Sequence, residues 1–493
     1  MLFNSFNFLT FFVLVTTAYF LLPHRWRWVL LLAASCYFYM AFVPLFILIL
    51  FLTITIDYIA GIAIEESEGR RKKSFLILSI LANIGVLFIF KYFNFFNQNI
   101  TERAQFLNWN YSLESLSIIL PIGLSFHTFQ SLAYTIEVYR KKQKAERHLG
   151  IFALYVLFYP QLVAGPIERP QNLLHQFREY HSFNLSRIGR GLELMLYGYF
   201  KKLVIADNLA IYVNAVYNNP GEYSGLSIAI ATVFFAFQIY CDFSGYSDIA
   251  LGGAEVMGIR MMTNFRRPYF SRTIAEFWRS WHISLSTWFK DYVYFSLGGN
   301  HGTHLRVARN LMITFVLSGL WHGANWTYVA WGALNGMYLI VGKFTYSFRE
   351  RLFATQSLML ANARKFGATL FTFVLICIAW VFFRAETISD ALLMIKKMFT
   401  DWGDISTRIS SPDFITQEIF LEYAPYDFYW CVAGITILLI AEFCALKKYD
   451  LQLFSEERPL LRRAAKWFIL STEILLIIVL TKSTAQQFIY FQF

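Results

Sequence analysis

The chain has 493 residues, of which 57% are hydrophobic and 19% aromatic, while only 15% are charged. A soluble protein of this length could not bury so much apolar surface, so the composition excludes a water-soluble enzyme and predicts an integral membrane protein. The formal net charge of +11 does not indicate a nucleic-acid-binding face, because the basic residues are grouped in short loops between apolar runs. That distribution is typical of orientation signals and of contacts with anionic lipids.

The N-terminal apolar segment predicts a membrane span that is retained. It covers about residues 6–22, and the basic cluster at 24–27 follows it, whereas a secretory signal peptide has its positive charges in front. Other spans are predicted wherever roughly 17 to 25 mostly apolar residues lie between polar breaks. They fall near 28–64 in two parts interrupted by Pro44, 74–90, 116–138, 151–164, 192–211, 227–240, 311–320, 329–341, 368–383, 428–445 and 468–480. We expect about ten to twelve crossings, together with interfacial helices.

The charged loops predict how the chain is oriented. Counting crossings places the basic residues at 24–27, 70–73 and 140–147 on one side, which the positive-inside rule makes the cytoplasm. The basic loops at 349–365 and 447–463 fall on the same side, and the acidic loop at 384–427 falls on the other. Both termini are therefore expected outside the cytoplasm.

The five cysteines indicate neither a disulfide frame nor a structural zinc site. They are scattered among apolar residues without a C-x-x-C pair, at Cys36, Cys241, Cys377, Cys431 and Cys444. The sequence also has no evident repeat, low-complexity tract or soluble domain. Residues 1–493 are therefore predicted to form a single polytopic membrane domain.

Two segments are too polar or too broken to be simple spans. Residues 158–170 contain three prolines and a glycine, and such backbone is stable at membrane depth only where protein or a water-filled cavity satisfies it. Residues 238–252 place Asp242 and Asp248 in an apolar context. Either carboxylate could orient an imidazole or pair with the arginines at 266–267, and structural pairing is the favoured interpretation.

The stretch 275–326 carries the most informative pattern. Its first part has helical periodicity, which predicts one amphipathic helix rather than a membrane span. On one side fall Phe277, Trp281, Leu285 and Trp288, and on the other fall Arg279, His282, Ser286 and Lys290. Gly298 and Gly299 are predicted to end this helix, and an apolar segment then runs to the motif S-G-L-W-H-G-A-N-W.

Histidines in apolar surroundings are candidates for acid–base chemistry. His322 lies where a charge is disfavoured, because an ionised side chain at membrane depth costs at least roughly 2.5 to 3.5 kcal/mol. A neutral imidazole there could act as a general base near physiological pH, or it could be a hydrogen-bonded packing residue at a helix break. Both interpretations stay open for His322, whereas direct chemistry is less favoured for His282 and packing is favoured for His127.

Several motifs together resemble one known family. They are F-Y-P-Q-L-V-A-G-P-I, Q-I-Y-C-D-F-S-G-Y-S-D, F-W-R-S-W-H-I-S-L-S-T-W-F-K-D-Y, G-G-N and G-L-W-H-G-A-N-W, in that order from Phe158 to Trp326. They resemble the membrane-bound O-acyltransferases, and within that family the bacterial branch that acts in alginate O-acetylation and teichoic-acid D-alanylation. The C-terminal F-I-Y-F-Q-F is similar to the alginate members of that branch.

The resemblance implies an all-α integral membrane fold, with about ten to twelve transmembrane helices in a ring plus interfacial and re-entrant helices around a central tunnel. It also implies that His322 is the catalytic residue and His282 its companion. Seven further residues of the matched motifs are expected to support the site, namely Trp278, Arg279, Trp281, Asp291, Trp321, Asn325 and Asp242. No metal and no bound cofactor are expected.

The implied reaction moves an acetyl group from cytoplasmic acetyl-CoA to a hydroxyl outside the bacterial cytoplasmic (inner) membrane. The acceptor would be a cell-envelope or exopolysaccharide such as alginate, reached directly or through an extracytoplasmic partner protein of the SGNH type or a similar one. A thioester is already activated, so a positioned base, which contributes roughly 10²- to 10⁴-fold, together with proximity could suffice. Arg279 and Lys290 could meet the donor phosphates, although basic residues of interfacial helices more often contact lipid phosphates.

Two alternatives remain open at this stage. The first is D-alanyl transfer from a carrier protein toward teichoic acid, because the residues do not distinguish one acyl donor from another. The second is a polysaccharide-related transporter, in which broken helices would line a substrate path. A transporter of that kind predicts paired discontinuous helices in two repeated halves, and the sequence shows no such repeat.

Overall fold

The computed structural model describes residues 1–162, 165–352, 357–402, 411–421, 425–446, 459–481 and 488–489. Every regular element in these residues is a helix, mostly α with short 3₁₀ and π segments, so the predicted all-α fold class is confirmed. The chain divides into two compact units, the first comprising Met1–Met195 with Tyr246–Thr263 and the second Leu196–Gly245 with Asn264–Phe493. The ring of helices around a tunnel stays a prediction.

The first unit contains the helices of the N-terminal part of the chain. They are α1 (Phe6–Leu21), α2 (His24–Met40), α3 (Ile47–Glu66), α4 (Gly69–Leu87), α5 (Phe93–Phe106), α6 (Leu124–Tyr139), α7 (Leu149–Leu157), α8 (Tyr159–Leu162) and α9 (Pro170–Leu173). Short 3₁₀ turns lie at Pro44–Phe46 and His175–Arg178, and a π turn lies at Phe88–Tyr92. The predicted break at Pro44 is therefore confirmed, because that proline begins the turn between α2 and α3.

The remaining helices follow in the second half of the chain. They are α10 (Leu185–Tyr199), α11 (Asp207–Asn218), α12 (Gly225–Met257), α13 (Ile274–Ser280), α14 (Ile283–Phe289), α15 (His304–His322), α16 (Trp326–Phe344), α17 (Tyr346–Leu352), α18 (Leu358–Arg384), α19 (Ile388–Thr400), α20 (Pro412–Phe414), α21 (Pro425–Leu446) and α22 (Pro459–Leu480). Turns of π type lie at Phe200–Ala206, Lys290–Tyr294 and Ile415–Ile419, and a 3₁₀ turn lies at Pro268–Phe270. Helices α10 and α12 contribute residues to both units.

The described residues include five helices that are long and apolar enough to cross a membrane. They are Pro44–Glu66, Gly69–Phe106, Gly225–Met257, Leu358–Arg384 and Pro425–Leu446. A sixth apolar helix, α1, has 16 residues and is shorter than those five. The chain is therefore a multi-pass membrane protein, as its composition predicts, while the total of ten to twelve crossings stays a prediction.

Several predicted boundaries were wrong, and the segment 238–252, expected to be unsuited to a simple span, lies inside the continuous helix α12 (Gly225–Met257). The span expected at 116–138 begins as a helix only at Leu124, because Pro121 cannot donate a backbone hydrogen bond and Gly123 has a φ of 77°, which stops the helix from extending backwards. The segment after Phe90, expected to be a polar connection, instead continues through the π turn into α5 as far as Phe106. Helix α4, the π turn and α5 together form one helical segment of 38 residues, Gly69–Phe106, which is longer than a bilayer requires.

Several buried polar side chains in the first unit are hydrogen-bonded to one another. Asp57 accepts hydrogen bonds from the Ser79 hydroxyl at 2.7 Å and from the Asn83 amide at 2.9 Å. His127, predicted to be a packing residue, is hydrogen-bonded through Nε2 to the Thr53 hydroxyl at 2.6 Å. Such pairing is what makes buried polar side chains tolerable in a membrane protein, because lipid offers them no partner.

The core of the second unit is built largely from aromatic rings. Trp281, Trp331 and Trp380 are among its largest fully buried side chains, each only 1% exposed. The ring centroids of Trp331 and Trp380 lie 5.9 Å apart in a stacked arrangement, and those of Trp281 and Trp380 lie 5.1 Å apart. This tryptophan cluster joins the stretch 274–294 to α16 and α18, and its Trp331 contacts the candidate residue His322.

Candidate active site

The amphipathic helix predicted from residue 275 onward is two short helices. Helix α13 ends at Ser280 and α14 begins at Ile283, so the chain breaks at Trp281 and His282. The predicted apolar side is correct, because Phe277, Trp281, Leu285 and Trp288 are at most 5% exposed. The prediction for His282 was wrong, because its side chain is only 1% exposed and does not lie on the polar face.

Backbone geometry at His282 explains this difference. Its φ of 40° and ψ of 56° are left-handed, a conformation that ends one helix and turns the imidazole inward at the start of the next. A residue with a Cβ adopts this region at a cost of roughly 1–3 kcal/mol, so other contacts must hold it there. Helical periodicity cannot reveal such a residue, since periodicity assumes that the helix is continuous.

Asn264 supplies the contacts that hold the break. Its backbone carbonyl accepts a hydrogen bond from Ile283 N–H at 2.9 Å, and its side-chain oxygen accepts one from the Ser284 hydroxyl at 2.7 Å. On the other side of the break, Arg266 N–H donates to the Ser280 carbonyl at 2.9 Å. Asn264 is fully buried and lies 18 residues before His282, and no sequence motif marked it as part of the site.

His282 is held in an apolar environment. The ring of Phe243 meets it edge to face with centroids 4.5 Å apart, and the Trp321 ring lies at 6.3 Å. Burial lowers the pKa of His282 to about 3 from its ordinary value of 6.5, because the charged form loses its hydration. The imidazole is therefore neutral at physiological pH.

His322 is the last residue of α15 and is only 5% exposed. Its ring centroid lies 4.9 Å from Trp321, 5.0 Å from Trp331 and 5.3 Å from Phe383. The side chain of Trp321 therefore contacts both histidine rings. The two histidines, 40 residues apart in the chain, belong to a single aromatic cluster.

Close packing of α15 against α16 sets the position of His322. A Cβ on Gly319 would lie 2.2 Å from the Tyr328 carbonyl oxygen, and a Cβ on Gly332 would lie 2.3 Å from the Phe315 carbonyl oxygen. Only glycine permits backbones to approach this closely, which is the packing mode of small residues in membrane helices. Gly319 lies three residues before His322, and Gly332 directly follows Trp331, which contacts His322.

Asn325 serves the turn between these helices. Its side-chain oxygen accepts a hydrogen bond from Thr327 N–H at 3.1 Å and caps α16, and its amide donates to the Glu386 carbonyl at 3.0 Å. An N-cap of this kind stabilises a helix start by about 1 kcal/mol. Asn325 therefore fixes the chain three residues after His322.

Asp242 has a different partner from the arginines considered in the sequence analysis. Lys202 lies with its ammonium 2.6 Å from Asp242 and 2.8 Å from Asp207, and its side chain is 1% exposed. Asp242 also accepts a hydrogen bond from Ile489 N–H at 2.7 Å. The predicted structural role is thus correct, while the predicted arginine partner was wrong because Arg266 and Arg267 line a separate cleft.

The other predicted supporting residues differ in what they contact. Trp278 packs its ring 5.6 Å from Trp331, which in turn contacts His322. Trp281 belongs to the tryptophan cluster with Trp331 and Trp380, and Arg279 lines the same cleft as Arg266 and Arg267. Asp291 lies in the π turn, with Lys290 Nζ 3.9 Å from its carboxylate.

Among the described residues, no group of three or more His, Cys, Asp or Glu side chains is arranged to hold a metal ion.

Comparisons with known proteins identify relatives of this chain. Residues 148–383, which contain both histidines, match the membrane-bound O-acyltransferase family. The chain is 39% identical over 404 residues to a probable alginate O-acetylase of Pseudomonas aeruginosa, covering 81% of this chain and 75% of the relative. A peptidoglycan O-acetyltransferase of Helicobacter pylori is 33% identical over 508 residues, covering 96% and 92%. A teichoic acid D-alanyltransferase of Streptococcus thermophilus is 28% identical over 267 residues, covering 47% and 64%.

Proposed function

The chain belongs to the membrane-bound O-acyltransferase family and is an acyltransferase, and from that premise we propose that it O-acetylates a cell-envelope or exopolysaccharide such as alginate. The observation that carries the proposal is the pair of buried histidines that contact one tryptophan inside the matched region. The choice of acetyl rests on relatives at 33–39% identity that are O-acetylating proteins and that align with most of this chain.

Acetyl-CoA is the proposed donor and reaches the site from the cytoplasm. The acceptor hydroxyl arrives from the opposite side of the inner membrane, either on the polysaccharide or on an extracytoplasmic SGNH-type or similar partner protein. Both chain termini lie outside in this arrangement. The basic loops at 70–73 and 140–147 support it, because positive charge retains a loop in the cytoplasm.

His322 acts as general base in the proposed mechanism. Its neutral imidazole takes the proton of the acceptor hydroxyl as that oxygen attacks the thioester carbonyl carbon. The carbon–sulfur bond then breaks, and the proton passes from the imidazolium to the departing thiolate, so an ester and free coenzyme A are formed. The positive charge develops at the C-terminal end of α15, where the helix dipole stabilises a cation by roughly 0.3–1 kcal/mol or more when partly buried.

His282 is assigned a positioning role toward the acyl carbonyl. It stays neutral through burial, so one ring nitrogen can donate a hydrogen bond to the oxygen on which negative charge develops. Asn325, one of the residues expected to support the site, donates its amide to the Glu386 carbonyl and accepts with its oxygen from Thr327 N–H. Trp321 contacts both rings.

Peptidoglycan is a second candidate acceptor. The Helicobacter pylori relative aligns with 96% of this chain, whereas the alginate O-acetylases that the comparisons found align with about four fifths of it. D-alanyl transfer is less favoured, because the relative that carries that activity aligns with 47% of the chain at 28% identity.

A deletion strain distinguishes these acceptors and donors. Its alginate and its peptidoglycan would each be analysed for O-acetyl esters, and its teichoic acid or equivalent polymer for D-alanyl esters. The proposal expects O-acetyl esters to disappear from one polysaccharide and to return on complementation. Vesicles containing the protein and [¹⁴C]acetyl-CoA would then show label in the acceptor. Unchanged acetylation in every polymer would overturn the proposal.

A further inference from the structure

A basic cleft lies on the second unit beside the loop that precedes α13. Its volume is about 1060 Å³, which is at or above the upper end of the roughly 300–1,000 Å³ found for small-molecule sites. One wall carries the cations Arg266, Arg267, Arg272 and Arg279, and Lys365 joins them from α18. An apolar wall comes from α18 and α21.

Most of the cations in the basic cleft are available to a ligand. Arg272 forms an ion pair with Glu276 at 3.0 Å, and Glu276 is the cleft's acidic lining residue. Arg266, Arg267 and Lys365 have no carboxylate within ion-pairing distance among the described residues. The cleft therefore carries excess positive charge that an anion would neutralise.

The apolar wall of the cleft faces outward. Phe366 and Leu370, one turn apart on α18, are 73% and 53% exposed, and Phe443 and Leu446 on α21 are 44% and 47% exposed. Both helices are long and apolar enough to cross a membrane, so acyl chains of the bilayer are the natural neighbours of these side chains. Lys365 directly precedes Phe366, so at least one cation of the cleft lies beside that wall.

We propose that the basic cleft binds one anionic phospholipid, with its phosphate between the arginines and Lys365 and an acyl chain along Phe366 and Leu370. Lys365 lies near the N-terminal end of α18, in the basic stretch 349–365 that the positive-inside rule places in the cytoplasm, where anionic lipid headgroups are abundant. A guanidinium pair offers the bidentate geometry that phosphate oxygens accept.

A soluble phosphate compound fits the basic cleft less well than a lipid does. Its phosphates would pair with the arginines, but a polar ligand would not cover the exposed apolar side chains of Phe366 and Leu370. A phospholipid satisfies the cationic and the apolar wall at once. The bound lipid also contacts the loop that contains Arg266. The N–H of Arg266 donates a hydrogen bond to the carbonyl of Ser280, which lies two residues before His282.

Lipid retention measured by native mass spectrometry tests this proposal. The full-length protein in a neutral detergent would be titrated with dioleoylphosphatidylglycerol or with dioleoylphosphatidylcholine. We expect one tightly retained phosphatidylglycerol, bound at least about tenfold more tightly than phosphatidylcholine. The double variant Arg266→Gln/Lys365→Gln is expected to lose that preference, whereas Arg70→Gln/Arg71→Gln, which removes two exposed cations elsewhere, should keep it.

Further arms separate a lipid from a soluble phosphate ligand. Phe366→Ala is expected to weaken binding of both lipids alike, because the acyl chain loses its contact. Coenzyme A at millimolar concentration should leave the bound lipid in place. The proposal would be overturned if the protein retained the two lipids equally, or if both double variants lost the preference equally. It would also be overturned if coenzyme A displaced the lipid from the wild-type protein and the Arg266→Gln/Lys365→Gln variant abolished that displacement.

Discussion

His322 and His282 contact the same tryptophan, yet the chain holds them in different ways. His322 ends a regular helix, where the helix dipole favours a positive charge. His282 occupies a left-handed position between two short helices, with Phe243 and Trp321 around its ring. The first environment suits a group that accepts a proton during a reaction, and the second suits a group that stays neutral.

Replacing His322 with Gln should abolish most acetyl transfer. Without a base, the acceptor hydroxyl keeps its proton during attack, which costs roughly 10²- to 10⁴-fold in rate. Labelled acetyl-CoA and purified acceptor in proteoliposomes would measure this loss. His301→Gln is the matched control, because His301 is exposed near the start of α15. Full activity in a correctly inserted His322→Gln variant would show that this residue is not the base.

The buried neutral state of His282 predicts a loss of stability in acid. Its pKa is about 3 in the folded protein and about 6.5 when unfolded, so below pH 6.5 the unfolded chain binds a proton that the folded chain does not. Stability should therefore fall by about 2 kcal/mol from this residue between pH 7 and pH 5.

Thermal unfolding of the detergent-solubilised protein at those two pH values would measure the effect. His282→Asn removes the titrating group, and Asn tolerates the left-handed conformation better than most residues. The midpoint of the variant should depend less steeply on pH. An identical pH dependence in both proteins would mean that His282 is not buried in its neutral form.

At the scale of elements, helix α15 and its partner α16 show how backbone contact places a side chain. Gly319 and Gly332 allow carbonyl oxygens of the facing helix to come closer than any Cβ permits. That contact brings Trp331 against His322. The turn between the helices is then fixed by the cap that Asn325 provides.

Gly319→Ala should separate the two helices and lower both stability and activity. The added methyl would lie 2.2 Å from a backbone oxygen that cannot move independently of its helix. Overpacking of this kind costs about 1–3 kcal/mol. Gly342→Ala on α16 is the control, since its Cβ would meet no atom within 4 Å, and it should be neutral or slightly stabilising. Unfolding midpoints and initial rates of the two variants would be compared, and equal behaviour would contradict the packing argument.

On the scale of the whole molecule, the site depends on residues from distant parts of the second unit. Lys202 bridges Asp207 and Asp242, and Asp242 also holds Ile489 near the end of the chain. The ring of Phe488 lies 5.9 Å from Phe243, which contacts His282. A buried ionic cluster thus connects the last described residues to the histidine pocket.

Lys202→Met should destabilise the protein strongly. It would leave two buried carboxylates without their cation, and breaking a buried ion pair costs about 3–5 kcal/mol. Arg190→Met is the control, because Arg190 pairs with Glu255 at a side-chain exposure of 62% and such surface pairs contribute about 0–1 kcal/mol. Thermal midpoints in detergent would be measured for both. A Lys202→Met protein as stable as the Arg190→Met protein would contradict the proposed cluster.

The membrane class, the helical fold, several spans and the family motifs could all be predicted from the sequence, because hydropathy and short-range spacing are properties of neighbouring residues. The sequence also placed one helical face correctly in the core, because the 3.6-residue period shows which residues share a face. The residues of that face are Phe277, Trp281, Leu285 and Trp288. Both candidate histidines were identified at this level from their motifs.

How those histidines are held could not be predicted from the sequence, because it depends on contacts between distant parts of the chain. The left-handed turn at His282 depends on Asn264, and the partner of Asp242 is Lys202 rather than a nearby arginine. The basic cleft combines residues from α12 to α21. Contacts between residues far apart in the chain leave no periodic signal, and an unfavourable backbone conformation persists only where such contacts hold it.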